Sequence, residues 1–338
     1  MKRTLYFTDS RSVEVREERL SPLGPEEVRV ESRYSAISAG TEGLIYRGEA
    51  PETMPADETI DALAGDLTFP LRYGYAVVGQ VVEIGERVAD EWLDRQVFAY
   101  NPHESTFVAD PSSLVPIPET ISPRVATLLA NAETAVTFVL DGTPTIGERV
   151  AVFGQGTVGL LTTALLARYP LETVVTVDYH ERRRRFSERL GADRSFHPEV
   201  DDVGSALRSA GGRADLTFEL SGNPDALEDA IEVTGYDGRI VVGSWYGTKA
   251  VSLELGGRFH RDRLSIESSQ VSTIDPERLG RWTRTRRHEA AWEMVSTIEA
   301  SDLITHEVPF TRAHEAYELL EQRPNEAVQV VLTYDRER

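Results

Sequence analysis

Residues 147–178, GERVAVFGQGTVGLLTTALLARYPLETVVTVD, restrict the fold of this chain more than any other stretch. A β-rich run, Val150-Ala151-Val152-Phe153, leads into Gly154-Gln155-Gly156-Thr157-Val158-Gly159. An apolar helical segment follows, then a second strand, Val174-Val175-Thr176-Val177, which ends in Asp178. Each glycine has its own task. The first permits a tight turn, the second lets backbone approach a pyrophosphate, and the third brings helix against strand. The free N–H groups at the helix start receive phosphate oxygens. Asp178 lies 24 residues after Gly154, where a carboxylate can hydrogen-bond both hydroxyls of an adenosine ribose. Strand, loop, helix, strand and acid in this order predict a nicotinamide-dinucleotide site built from Gly154, Gln155, Gly156, Thr157, Val158, Gly159 and Asp178. The same motif also reads as a site for a related nucleotide, or as a fold whose pocket is no longer used.

The pattern continues to about residue 245. Strand candidates at 150–153, 174–177, 215–220 and 239–243 alternate with helices at 158–168, 181–190, 202–209 and 225–233. Such alternation implies a parallel, twisted sheet with right-handed crossovers. Asp215 fits a strand edge better than an interior. Gly222 follows the third strand, and Gly243-Ser244 follow the fourth; small residues there are expected to pass close to the nicotinamide half. Asp178 favours NAD over NADP, because a carboxylate repels a 2′-phosphate. In the basic run Arg182 to Arg185, Arg182 or Arg183 complicates that preference, since an arginine of Tyr179-His180-Glu181-Arg182-Arg183 folded back onto a phosphate would permit dual use. The plainer reading of that run is a solvated helix turn.

Residues 1–120 read as β-rich, with short strands at Tyr6-Phe7 and Val13–Val15. Period-two alternation runs from Glu27 to Ser32, and a longer strand from Val77 to Gly85. Four prolines make residues 100–118 a rigid, irregular connection. A helix starts after Pro123 and stops at Asp141-Gly142. Further on come a strand at 264–268, helices at 287–299 and 311–321, and a strand at 327–332 that is expected to return to the first domain. The fold class is therefore α/β. The expected organisation is a β-rich catalytic domain at 1–120, a dinucleotide-binding domain at 121–304 and a C-terminal return at 305–338. A chain of 338 residues is long for one core.

Composition excludes several functions. With 56 acidic against 36 basic residues, the formal charge is −20, so no broad basic field opposes nucleic-acid phosphates. Only Lys2 and Lys249 are lysines. The balance resembles that of haloarchaeal proteins, whose cytoplasm holds molar salt and screens carboxylates within roughly 3 Å. There is no cysteine, which excludes disulfides, thiolate zinc sites and cysteine nucleophiles. No apolar run has the length of a membrane span, and MKRTLYFTDSRSVEV lacks the apolar region of a signal peptide. A cytoplasmic protein with no nucleic-acid or membrane partner is the expectation.

The order of these features resembles the medium-chain dehydrogenase/reductase superfamily over essentially the whole chain. That superfamily has a split GroES-like catalytic domain and an inserted Rossmann domain. Ser35-Ala36-Ile37-Ser38-Ala39-Gly40-Thr41-Glu42 looks like the loop carrying the first catalytic zinc ligand in zinc alcohol dehydrogenases. Gly74-Tyr75-Ala76-Val77-Val78-Gly79 looks like their second ligand segment. Ser-Ala-Gly-Thr-Glu and Ser268-Ser269-Gln270 look like the bacteriochlorophyllide-type dehydrogenase branch. The chain departs from the zinc pattern: Ala39 stands for the cysteine, Tyr75 for the histidine, and no four-cysteine lobe exists. His103, Glu42 and Glu133 share no recognised ligand spacing, so the expectation is a site with no metal.

The resemblance implies an oxidoreductase that interconverts a ketone and a secondary alcohol. A zinc-free site must aim hydrogen-bond donors at the oxygen that becomes an alkoxide. Tyr75 is the lead donor; its alternative role is filling the space a zinc would take. His103 is a second proton-transfer candidate, or a structural histidine bonding backbone. Thr41 and Glu42 are candidates for substrate or ribose contacts, or for a turn or cap. His260, Arg263 and Gln270 fit the branch resemblance without an assigned chemistry. The competing readings are an enone or quinone reductase and a non-catalytic nucleotide-binding or structural protein. The expected partners are a small carbonyl or alcohol and a second copy of the chain, as a homodimer or, alternatively, a tetramer.

Overall fold

The computed structural model of the protein describes residues 1–209 and 211–335. Its contacts divide into two units, one formed by 1–130 with 295–338, the other by 131–294.

The first unit opens with an antiparallel hairpin of β1 (Lys2–Asp9) and β2 (Ser12–Glu18). Then come β3 (Val28–Ala36), α1 (Thr41–Arg47), β4 (Val77–Ile84), β5 (Gln96–Ala99), β6 (Thr106–Ala109), β7 (Leu114–Pro116) and α2 (Pro123–Ala126). Alternation in β3 buries Val28 and Val30 completely, against Val77, Val81, Val97, Phe107 and Leu114. The stretch expected to be irregular, 100–118, contains β6 and β7. Tertiary pairing overrides its prolines, with β6 antiparallel to β3 (Phe107 opposite Val30) and β7 antiparallel to β5. The loop expected at Thr41 and Glu42 is the first turn of α1.

The chain enters the second unit along α3 (Leu129–Gly142). It continues through β8 (Arg149–Phe153), α4 (Thr157–Leu166), β9 (Thr173–Val177), α5 (Glu181–Arg189), β10 (Arg194–Phe196) and α6 (Val203–Ser209). Next come β11 (Ala214–Glu219), α7 (Pro224–Val233), β12 (Thr234–Val242), β13 (Ser265–Ser268) and α8 (Arg284–Thr297). All neighbouring strands are parallel, in the order β10-β9-β8-β11-β12-β13. That is the doubly wound order, with its reversal between β8 and β11. Asp215, one residue into β11, accepts the Arg149 backbone N–H at 2.8 Å and lies 3.3 Å from its guanidinium, so the strand edge satisfies its charge.

The remaining elements belong to the first unit: β14 (Ile304–Pro309), α9 (Ala313–Gln322) and β15 (Gln329–Thr333). β15 pairs antiparallel with β3 and parallel with β14, completing the sheet β14-β15-β3-β4-β5-β7. No described helix is long and apolar enough to cross a membrane.

Candidate active site

In the second unit, three loops at the carboxyl ends of β8, β9 and β11 are tied together. Gly154 adopts φ +88° and its N–H donates to Val177 O at 2.8 Å. A Cβ there would stand 2.5 Å from Ser221 Cα, and one on Gly159 would stand 1.9 Å from Gly154 O, so the helix start is pressed onto the turn. Around Gly156 nothing lies within 4 Å of a Cβ position. The N–H groups that open α4 at Thr157 face this open side, a geometry able to receive an anion.

Asp178 is 7% exposed, and each of its oxygens accepts a backbone N–H at 2.7 Å, one from Gln155 and one from His180. The carboxylate thus holds the glycine turn. The Gln155 side chain is fully enclosed, bonded to Thr163 and to the carbonyl of Gly154, while Val158 packs against the core. Of the arginine run, Arg184 donates to the carbonyls of Asp178 and Tyr179, Arg185 pairs with Glu181, and Arg183 lies 3.9 Å from Asp178.

Gly222 (φ +69°) has open space around it, and its N–H donates to Ser244 Oγ at 2.8 Å. Gly243 also meets a packing constraint. A Cβ there would stand 2.3 Å from the Phe138 ring of α3, so packing demands the glycine. Sequence reading missed Glu219, which is wholly buried at the end of β11. It accepts from Ser221 N at 2.8 Å and from Tyr246 Oη at 2.5 Å. Burial first, and then the Glu219 charge, push the Tyr246 phenol far above its ordinary range. An acid closing an apolar strand just before Ser-Gly was the available signal. His260 is exposed, Arg263 lies 3.4 Å from Asp237, and Gln270 is exposed and bonds to Ser272.

The first unit gathers the other candidates. Glu42, wholly buried in α1, accepts from Ser38 N at 2.7 Å and Tyr317 Oη at 2.6 Å, with His103 Nε2 at 3.0 Å. His103 is also wholly buried, and its Nδ1 lies 2.7 Å from Ser35 Oγ, which is 2.9 Å from Tyr334 Oη. One hydrogen placement satisfies every group: Tyr334 donates to Ser35, Ser35 to Nδ1, and Nε2–H to Glu42 Oε2. Gly74 (φ +119°) makes room for this ring, since a Cβ would stand 2.7 Å from His103 Cδ2. Next in sequence, half-buried Tyr75 donates to Ser38 Oγ and lies 3.4 Å from Thr41 Oγ1. Burial raises its phenol pKa, with the hydroxyls of Ser38 and Thr41 acting in the opposite direction.

These groups do not fit a zinc ion. Ala39 offers no ligand, and Tyr75 a neutral phenol held by hydroxyls; Glu42 and His103 are bonded to each other. In the second unit Glu133 is paired with Arg287 at 2.7 Å and lies 3.2 Å from His288. Among the described residues no group of three or more His, Asp or Glu side chains is arranged to hold a metal.

Residues 157–283 match the family described as zinc-binding dehydrogenase. D-guloside 3-dehydrogenase of Escherichia coli K12 is 27% identical over 325 residues, covering 91% of this chain and 93% of that protein. (R,R)-butanediol dehydrogenase of Bacillus subtilis is 25% identical over 278 residues, covering 74% and 77%. The crystal structure of an alcohol dehydrogenase from Escherichia coli CFT073, complexed with NADH, superposes with a TM-score of 0.79 at 18% identity, over 98% of this chain and 99% of that one. The fold and the glycine turn define a dinucleotide-dependent oxidoreductase of doubly wound type. More narrowly, the chain is a nicotinamide-dependent dehydrogenase/reductase.

Proposed function

We propose that this protein interconverts a secondary alcohol and a ketone with NAD(H), using hydroxyl donors rather than a catalytic zinc. The observation that carries the reading is the pairing of an open glycine-turn helix start at Gly156 with a first unit whose two zinc-ligand positions hold Ala39 and Tyr75. The bound dinucleotide supplies or accepts the hydride. In the reductive direction Tyr75 Oη, released from Ser38, gives its proton to the oxygen that gains negative charge. A phenol with a raised pKa suits this role, because it stays protonated at neutral pH. Thr41 stands beside it as a second hydroxyl. His103 and Glu42 act one layer behind: their buried pair fixes Ser38 through its N–H, and so fixes the partner of Tyr75.

Asp178 supports NAD over NADP. Its two oxygens are each fixed by a backbone N–H donor, so a 2′-phosphate placed against it meets a carboxylate that is held in position. Two side chains of the run stand at Asp178, Arg183 with its guanidinium 3.9 Å from the carboxylate and Arg184 bonded to the carbonyl, and a phosphate contact from either would soften this preference. The names of the two curated relatives, a glycoside and a diol dehydrogenase, support a hydroxylated small molecule as substrate. A bacteriochlorophyllide-type branch rests on Ser-Ala-Gly-Thr-Glu and Ser268-Ser269-Gln270 alone, and salt adaptation on the charge of −20. A homodimer rests on superfamily resemblance.

The test is transfer of deuterium from labelled NADH to a panel of polyol-derived ketones and of enones, with protein dialysed against a chelator. Label on a carbinol carbon with turnover intact is the expected result. Label on an alkene carbon, or turnover restored only by zinc, would overturn the reading.

A further inference from the structure

Of 36 basic residues, the chain uses lysine at only two, Lys2 and Lys249. Against a background of arginine, a lysine marks a place that takes a compact point charge rather than a planar fork. Lys2 has such a place: 8% exposed, it hydrogen-bonds buried Glu104 and lies 3.6 Å from Glu18. Lys249, half-buried in the segment after β12, has no carboxylate partner among the described residues. Its Nζ donates to Gly222 O at 3.0 Å, which leaves two ammonium protons.

The glycines nearby show what this ammonium borders. Five stand at the carboxyl ends of β8, β11 and β12, or in the helical turn that follows β8. Gly154, Gly159 and Gly243 are packed against Ser221, the Gly154 carbonyl and Phe138, whereas Gly156 and Gly222 have nothing within 4 Å of a Cβ position. Because Gly154 is packed against Ser221, the turns that carry the two open positions stand side by side, at the point where strand order reverses between β8 and β11. Ligands of open doubly wound sheets lie across that point. The Asp178 side takes the adenosine ribose and Gly156 the pyrophosphate, so the rest of the dinucleotide runs toward Gly222 and Lys249.

We propose that Lys249 is a cofactor-binding residue. One ammonium proton is anchored on the Gly222 carbonyl, and another is donated to an oxygen of the dinucleotide backbone beyond the adenosine, on pyrophosphate or on the adjoining ribose. The proposal rests on the dinucleotide reading of the Gly154–Gly159 turn. It also accounts for how a chain of charge −20 accepts a doubly anionic ligand: a local cation, already oriented by a carbonyl, offsets the long-range repulsion.

The experiment titrates AMP, ADP, ADP-ribose and NADH into the full-length wild type, Lys249→Met and Lys249→Arg by calorimetry. Loss of the charge-assisted bond is expected to weaken NADH and ADP-ribose about tenfold in Lys249→Met. AMP affinity is expected to be unchanged, and Lys249→Arg to recover most of the loss. A parallel loss for ADP places the contact on pyrophosphate; an unaffected ADP places it on the ribose; both support the proposal. Lys249→Met binding NADH as tightly as wild type overturns it. So does an equal loss for AMP, which marks collapse of the Gly222 turn instead. A wild type that binds none of the four ligands overturns the dinucleotide reading, and this role with it.

Discussion

Glu42 collects three donors in a place with no solvent, so its carboxylate is held by Ser38 N–H, Tyr317 Oη and His103 Nε2 together. Glu42→Ala strands all three and is expected to cost about 3 kcal/mol or more, read from urea unfolding; a loss under about 1 kcal/mol would refute the fully bonded carboxylate. Tyr75 presents the opposite case, a half-buried phenol whose bond to Ser38 is replaceable. Tyr75→Phe is expected to lower kcat by about a hundredfold with NADH affinity intact. Burial raises the Tyr75 pKa, so the protonated donor persists upward in pH. Ketone reduction should therefore stay flat from neutrality to about pH 10; a wild-type rate falling with an apparent pKa near 7 would point to another acid.

At the scale of elements, the glycine turn between β8 and α4 makes two requirements separable. Gly159→Ala drives a methyl into the Gly154 carbonyl and is expected to lower stability by about 2 kcal/mol along with NADH affinity. Gly156→Ala meets open space, so thermal unfolding should be unchanged while NADH binding weakens severalfold. Equal NADH binding by Gly156→Ala and wild type would show that the cofactor does not use this face. The turn was readable in advance because each of its constraints is local: a positive φ, a close approach, an acid at fixed distance. β6, β7, β10 and β14 were not, because they are three to six residues long and are strands by virtue of partners distant in sequence. α1 was hidden for a related reason. Its Gly-Thr-Glu start carries no side-chain cap, and the helix is held by burial of Leu44, Ile45 and Tyr46.

For the whole molecule, charge and buried phenols set the conditions of stability. Tyr73, Tyr317 and Tyr334 in the first unit all have pKa values raised by burial. Above about pH 10 their unfolded counterparts ionise while the folded phenols hold their protons, so stability present below that pH is lost as pH rises. The urea midpoint at pH 11 is expected below that at pH 8; an equal midpoint would contradict the burial of these groups. A net charge of −20 adds repulsion that salt screens. The unfolding temperature is therefore expected to rise by several degrees between 0.1 and 2 M potassium chloride, followed by circular dichroism.

Sequence alone determined the α/β class, the parallel sheet about the glycine turn and the acid at Asp178 that closes its second strand. Those features follow from residue type and spacing along a few tens of residues. Only the tertiary structure decided that His103 and Glu42 face each other in the core, that Gly243 yields to Phe138, and that Glu219 and Lys249 stand beside the Gly222 turn. Each of these joins residues 2 to 105 positions apart, and spacing cannot state which side chains folding brings into contact.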